Sequence, residues 1–129
     1  MNGQFKSREN LIGKYFNMWM KKEASDFYSI FANEIEYTEC YGPVYKGIAQ
    51  LEKWFADWQT KGRVFSWDIK NFIHQNNFTA VEWNFSYQYE DDADNFDGVT
   101  LVMFNNDEKI LSLKEFQSKS QHYYPYQNI

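Results

Sequence analysis

The sequence predicts an α+β fold with three N-terminal helices on one side of a bent, mostly antiparallel sheet. Apolar residues recur at spacings of three and four over most of residues 8–60, and from Arg63 onward the recurrence switches to two. Turn-forming clusters divide the second half into four strands in meander order. A chain of 129 residues suits one domain spanning 1–129, with a core over about residues 8–117 and a tail over 118–129. Residues 1–7 and the tail are expected to be mobile.

Leu11, Ile12, Tyr15, Phe16 and Trp19 share one face of a helix over residues 8–22. Ser7 offers a weak cap, and Lys21 and Lys22 suit the C-terminus. A second short helix is expected over 25–31, capped by Ser25. Residues 34–39 alternate Ile35 and Tyr37 against acids, as in a strand, which Tyr41-Gly42-Pro43 breaks. The third helix covers 48–60, with Ile48, Leu51, Phe55 and Trp58 in one stripe, Trp54 beside it and Gly62 as its C-cap. Strands follow over 64–74, 78–90, 97–104 and 109–117, with residues 91–95 as an acidic connection.

Composition excludes several roles. Aromatic residues make up 21% of the chain, too many large apolar groups for disorder. Eighteen acidic residues against thirteen basic ones, with no Lys/Arg run, argue against nucleic acid as a partner. A single cysteine, Cys40, excludes an internal disulfide and a cysteine-based zinc site. No stretch resembles a signal peptide or a membrane span, so a soluble, cytoplasmic protein without a membrane partner is expected.

Register points to a hollow. In residues 78–90 the odd positions Val81, Trp83, Phe85 and Tyr87 form the apolar face. Odd must meet odd in the preceding strand, and a three-residue loop, Gln75-Asn76-Asn77, achieves this by pairing His74 with Phe78 and Lys70 with Glu82. Trp67, Ile69, Asn71 and Ile73 are then expected on the concave face with them. Asp68, Lys70, His74, Glu82, Asn84 and Ser86 are expected on the outer one. Large rings cannot fill a tapering space completely, and ligand sites are concave and mostly apolar. The candidate ligand-binding residues are Trp54, Trp58, Trp67, Asn71, Trp83, Phe85 and Tyr87.

Residues 30–34 (Ile-Phe-Ala-Asn-Glu), 37–43 (Tyr-Thr-Glu-Cys-Tyr-Gly-Pro), Gly47 through Trp54-Phe55 to Trp58, and Phe96-Asp97-Gly98 with Phe104-Asn105 and Lys109-Ile110 resemble the SnoaL-like branch of the nuclear transport factor 2-like superfamily. The resemblance covers residues 8–117 and implies a cone-shaped α+β barrel that dimerises with its own copy through the outer sheet face. The superfamily includes enzymes, ligand binders and transport adaptors, so fold alone does not choose among them. Ketosteroid isomerase is its distant enzymatic relative. That resemblance implies a phenol donor at Tyr15 and a carboxylate base at Glu39, and puts Thr100 where the isomerase carries a second acid. A threonine hydroxyl is the weaker donor. No cofactor is implied.

The last strand adds Glu115. Alternation groups it with Leu111, Leu113 and Gln117, apart from Ile110, Ser112, Lys114 and Phe116, and the family's inward parity turns the first set to the hollow. A buried Glu39 would have the raised pKa a general base needs, and a nearby Glu115 would add like charge. The plainer alternatives are a solvated Glu39 at a strand edge, a core Tyr15, and a Glu115 paired or reaching solvent at the rim. His74 reads as a surface residue, and Asp91, Asp92, Asp94 and Asp97 as a solvated loop, with no metal site expected. The tail, Tyr123-Tyr124-Pro125-Tyr126, could dock on the domain, cover the hollow or meet a partner. Three functions remain open: binding of a small apolar or aromatic molecule, cofactor-free acid/base catalysis by Glu39 with Tyr15, Thr100 and Glu115, or a protein-interaction module.

Overall fold

A computed structural model describes residues 2–24, 26–118 and 121–129. Helix α1 (Asn2–Lys21) is followed by α2 (Phe27–Ile30), β1 (Phe31–Thr38), β2 (Val44–Lys46) and α3 (Ile48–Gln59). Four strands complete the chain: β3 (Gly62–Gln75), β4 (Phe78–Tyr89), β5 (Asp92–Phe104) and β6 (Ile110–Gln117). They form one six-stranded sheet in the order β2-β1-β6-β5-β4-β3. All neighbours are antiparallel except β1 and β6. The expected α+β fold with a mostly antiparallel sheet is present, and the sheet of the expected cone-shaped barrel is open, with β2 and β3 as its edges. Even so, α3 packs on β1, β2 and β3, so a single helix reaches both ends of the sheet.

Helix α1 starts at Asn2, and its first turns are ordered by tertiary contacts rather than by an apolar stripe. Phe5 stacks on His74 with ring centres 4.3 Å apart. Arg8 is buried, with Nε donating to Glu108 at 2.8 Å and Nη1 to the Asn76 carbonyl at 2.6 Å. One guanidinium thus ties the helix to two separate turns of the sheet. The expected mobility of the first residues and the outward position of His74 are both corrected. His74 bonds Glu9 and Thr79, each at 2.8 Å, beneath α1. The expected Ser25 cap lies outside the described residues; Asp26 caps α2 by accepting the Ser29 N–H at 3.2 Å.

The β3–β4 register departs from expectation in an informative way. The turn has two residues, Asn76-Asn77, with Gln75 opposite Phe78 and Asn76 at φ 56°. Asparagine tolerates that left-handed conformation. Both turn carbonyls are used: Arg8 bonds that of Asn76, and the Phe104 N–H bonds that of Asn77 at 2.9 Å. Parity is restored instead by a β-bulge at Lys70, between the pairs Ile69↔Trp83 and Asn71↔Glu82. Beyond the bulge Trp67 and Ile69 face inward as expected. Before it Phe72 packs inward, while Ile73 is 63% exposed and Asn71 is exposed. Asn71 and Ile73 are therefore not on the concave face, and Asn71, not Lys70, opposes Glu82. Lys70 reaches Asp97 at 2.9 Å. A second bulge at Phe65 turns Val64 inward, and one at Leu111 buries Ile110, which was expected to face outward.

Two further expectations change. Residues 92–95 are not a loop but the start of β5, joined to β4 by the tight turn Glu90-Asp91. Their outer face is laced by polar side chains, Asn84 and Asn95 exchanging amide bonds at 2.9 and 3.0 Å. Gly62 opens β3 rather than capping α3, because a Cβ there would lie 2.7 Å from the Trp58 ring. In the tail, Tyr123, Tyr124 and Tyr126 are largely exposed and do not dock on the domain.

Gly98 lies directly opposite Trp83 and makes room for its indole. A Cβ at that position would sit 2.3 Å from the Trp83 ring and 2.5 Å from the Phe116 carbonyl oxygen. The ring is further held by its N–H, which donates to Thr100 Oγ1 at 2.8 Å. Neither obstacle yields cheaply, so Gly98→Ala should cost about 1–3 kcal/mol as an overpacked core site. Urea unfolding should show a lower midpoint at unchanged slope; an unchanged midpoint would show that the indole has room to move.

Candidate functional site

Two hairpin strands and a parallel neighbour bring two carboxyl groups to one end of the sheet. Glu39 is the first residue past β1. Its N–H donates to the Pro43 carbonyl at 2.9 Å and its carbonyl accepts from Gly42 at 3.1 Å. Gly42 turns the chain at φ 114°, a value few other residues adopt. The hairpin returns as β2 with Tyr45 opposite Tyr37, and Tyr45 Oη donates to Glu39 Oε1 at 2.8 Å. Tyr45 also lies nearly flat on Trp54, ring centres 4.6 Å apart.

On the other side, β6 runs parallel to β1 with Tyr37 beside Leu113. That pairing carries Glu115 to the same end as Glu39. Tyr37 Oη donates to Glu115 Oε2 at 2.7 Å, and the Cys40 N–H donates to Oε1 at 3.3 Å. Behind them Tyr15 Oη donates to Tyr37 Oη at 2.6 Å. The result is a short relay, Tyr15 to Tyr37 to Glu115, with both phenols buried.

These groups border a two-tier hollow. The inner tier holds about 30 Å³, close to the volume of one water. Trp54, Trp58, Trp67, Trp83 and Phe85 wall it, together with Glu39 and Glu115. The outer tier is a depression of about 310 Å³ that shares Glu39, Tyr41, Trp54 and Trp58 and adds Tyr87 and Tyr89. Trp83 and Glu39 thus do look into one space. Tyr87 belongs to the outer tier, Tyr15 reaches the hollow only through Tyr37, and Thr100 stays buried beneath the Trp83 indole. Asn71 lies away from both tiers.

Tyr37, Tyr45, Tyr41 and Trp19 were not singled out from sequence. Tyr37 could have been, since it shares strand parity with Glu39.

Burial governs the proton affinities. Glu115 is pushed up to about 7, chiefly by loss of water and secondarily by the charge of Glu39, with the Tyr37 hydrogen bond acting the other way. Burial also raises Glu39, opposed by its bond from Tyr45. The Cys40 thiol is pushed up to about 12 by burial and the two nearby acids, so it stays protonated and unreactive at neutral pH. Tyr15 and Tyr37 are raised well above the ordinary phenol value, first by burial and then by Glu115, and remain neutral donors. Among the described residues neither Trp19 Nε1 nor Trp67 Nε1, both buried, meets a hydrogen-bond acceptor.

A family model described as the SnoaL-like domain matches residues 12–113. No curated protein matches the chain. Among solved structures, a hypothetical protein with a ketosteroid isomerase-like fold from Catenulispora acidiphila, in complex with trimethylamine, is similar at TM-score 0.70 and 16% identity, covering 85% of this chain and 86% of that one. A provisional SnoaL-like polyketide cyclase from Mesorhizobium loti is similar at 0.67 and 17%, covering 84% and 97%. A provisional isomerase of the SnoaL-like family from Agrobacterium tumefaciens is similar at 0.65 and 16%, covering 88% and 98%. At these identities the structural likeness establishes the fold.

The raised Glu115 carboxyl sets a sign for stability against pH. The folded protein keeps this proton to about pH 7, whereas the unfolded chain releases it near 4.5. The folded state therefore binds more protons between those values, and this contribution to stability falls by roughly 3 kcal/mol as pH rises through them. Glu115→Gln stays neutral and should remove that slope. Below the unfolded value the variant should match the parent, and above about pH 8 it should be the more stable of the two. Chemical denaturation at several pH values checks this; parallel curves for the two proteins would contradict it.

Proposed function

The chain belongs to the SnoaL-like domain family, and from that premise we propose that it binds a small organic molecule in the two-tier hollow and performs acid/base chemistry on it without a cofactor. The observation that carries this reading is Glu115, a carboxyl enclosed at the foot of an aromatic hollow with its proton affinity brought to about 7. A group poised there can both give and take a proton under ordinary conditions. Perturbed acids in clefts mark functional sites more often than chance.

The sizes divide the labour. The inner tier admits only a water-sized group, so the reacting atom enters it while the body of the ligand rests on the rings of the outer tier. Glu115 then acts as the proton-holding acid or base, and Glu39, bordering both tiers, as the second carboxyl. Tyr37 stabilises the ionised form of Glu115 and Tyr15 backs it, which makes Tyr15 a positioning residue. Thr100 serves by holding Trp83. This differs from the expectation of Glu39 as base, Tyr15 and Thr100 as polarising donors and Glu115 as a second acid. A cytoplasmic setting fits a chain whose one cysteine is a free thiol.

We infer in addition that the outer sheet face pairs with a second copy. Ile73, Leu101, Val99 and Phe116 are exposed there, and register places Leu101 beside Ala80 and Val99 beside Phe116. Contiguous apolar patches on a sheet face favour an interface.

Native mass spectrometry of gently purified protein should show a non-covalent small-molecule adduct that Trp58→Ala loses. Bare protein, with tryptophan fluorescence unmoved by a panel of small aromatic ligands, would refute binding. For any turnover found, Glu115→Gln should lower kcat by about 100-fold or more while leaving ligand affinity nearly intact; retained kcat would remove Glu115 from the chemistry. Sedimentation velocity should give a dimer that Phe116→Glu dissociates, and a monomeric parent protein would dispose of the pairing.

A further inference from the structure

The outer tier has a composition that its apolar character alone does not explain. Trp54 and Trp58 stand one helical turn apart on α3, Tyr87 and Tyr89 two residues apart on β4, and Tyr41 lies in the turn between β1 and β2 with Tyr45 on β2. Three elements therefore converge their rings on one depression of about 310 Å³. Trp58 lies 5.3 Å from Tyr89 and 6.3 Å from Tyr87, at tilts near 48° and 49°. The remaining wall residues are Glu39, Asp57 and Asp92, and among the described residues none that lines the space is basic.

We propose that this outer tier is a recognition site for a small organic ammonium cation, whose positive head rests against Trp58, Tyr87 and Tyr89 and is balanced by Glu39 and Asp92. The inference rests on the reading of the hollow as a ligand site and names the class of ligand it takes.

The argument is one of charge and hydration. Aromatic faces carry negative potential and attract a desolvated cation, most strongly at tryptophan. A neutral apolar ligand would gain the same ring contacts but would cover the Glu39 carboxyl without compensating it, at a desolvation cost. An anion would meet three acids and no base. Asp57 is already engaged by Lys53 at 3.3 Å, so the balance falls to Glu39 and Asp92. A hard metal ion fits poorly, because such ions need several oxygen ligands at once. Among the described residues no group of three or more carboxylate, thiol or imidazole side chains is gathered closely enough to hold one. A bulky, weakly hydrated ammonium group needs rings and a diffuse negative field instead. The protein's net charge of −5 supplies the same sign at long range.

Choline and its uncharged isostere, in which a tert-butyl group replaces the trimethylammonium head, separate these terms with the full chain. Titrations followed by tryptophan fluorescence and by the indole signals of Trp54 and Trp58 should show saturable choline binding that weakens with added salt. The isostere should bind about tenfold more weakly, or less well still. Asp92→Asn, a surface change that leaves the fold alone, should weaken choline severalfold and leave the isostere unmoved, and Glu39→Gln should do the same. Trp58→Leu should weaken both. Equal binding of the two probes would overturn the preference for charge while leaving the hollow a ligand site. Failure of both probes would overturn the cation site, whereas the native adduct and the Glu115 variants decide the wider reading independently.

Discussion

The hydrogen bond from Tyr37 to Glu115 is the contact on which the rest of the site is arranged. A carboxyl group drawn out of water is costly to ionise unless donors replace the lost hydration. Here one phenol and one backbone N–H supply that replacement, at 2.7 and 3.3 Å. The compensation is partial, and burial still pushes the carboxyl up to about 7. Its geometry follows from the parallel pairing of β1 with β6, since an antiparallel pair would send Glu39 and Glu115 to opposite ends. Tyr15 is a core residue whose hydroxyl donates to Tyr37 at 2.6 Å. It satisfies Tyr37 from behind and keeps that hydroxyl aimed at the acid.

The hollow itself results from stiffness. Trp67, Trp83 and Phe85 meet edge to face, at 89° for the two indoles and 65° for Trp67 with Phe85. Rings in such arrangements pack well in pairs but leave interstices where three or four converge. Trp83 is fixed on both sides, by the missing side chain of Gly98 and by the hydroxyl of Thr100, so it cannot swing to fill the gap. What remains is water-sized within and wider outside.

Much of this was legible in residue order. The stripe Ile48, Leu51, Phe55 does build a helix over the sheet, and the alternation through Val81, Trp83 and Phe85 does turn those side chains inward. The parity argument was sound in its count but misplaced the adjustment. A three-residue loop and a two-residue turn followed by a bulge at Lys70 satisfy the same alternation, and periodicity cannot distinguish them. Asn71 and Ile73 fall in the short stretch where the two solutions differ, hence their exchange with Phe72. The early start of α1 left no periodic signal because Phe5 and Arg8 are ordered by partners far along the chain. Strand β2 has three residues, too few to show a period. The first part of β5 hid behind its acids, because Asp92 and Asp94 pair with Tyr89 and Tyr87 along the backbone while both aspartates stay exposed. Tyr37 was passed over because a strand tyrosine ordinarily signals packing, and its second duty depends on a neighbour that only the parallel pairing supplies.

Arg8 has a consequence for how the chain reaches its native state. Its partners lie 68 and 100 positions away, at Asn76 and Glu108. Contacts that close such long loops form late, after nearer ones have offset their entropy. The two bonds of this cation therefore close only once the β3–β4 and β5–β6 turns have formed, whereas the packing of α1 on β3 needs neither. The first helix is thus anchored by two turns rather than by any strand, one carbonyl at Asn76 and one carboxylate at Glu108.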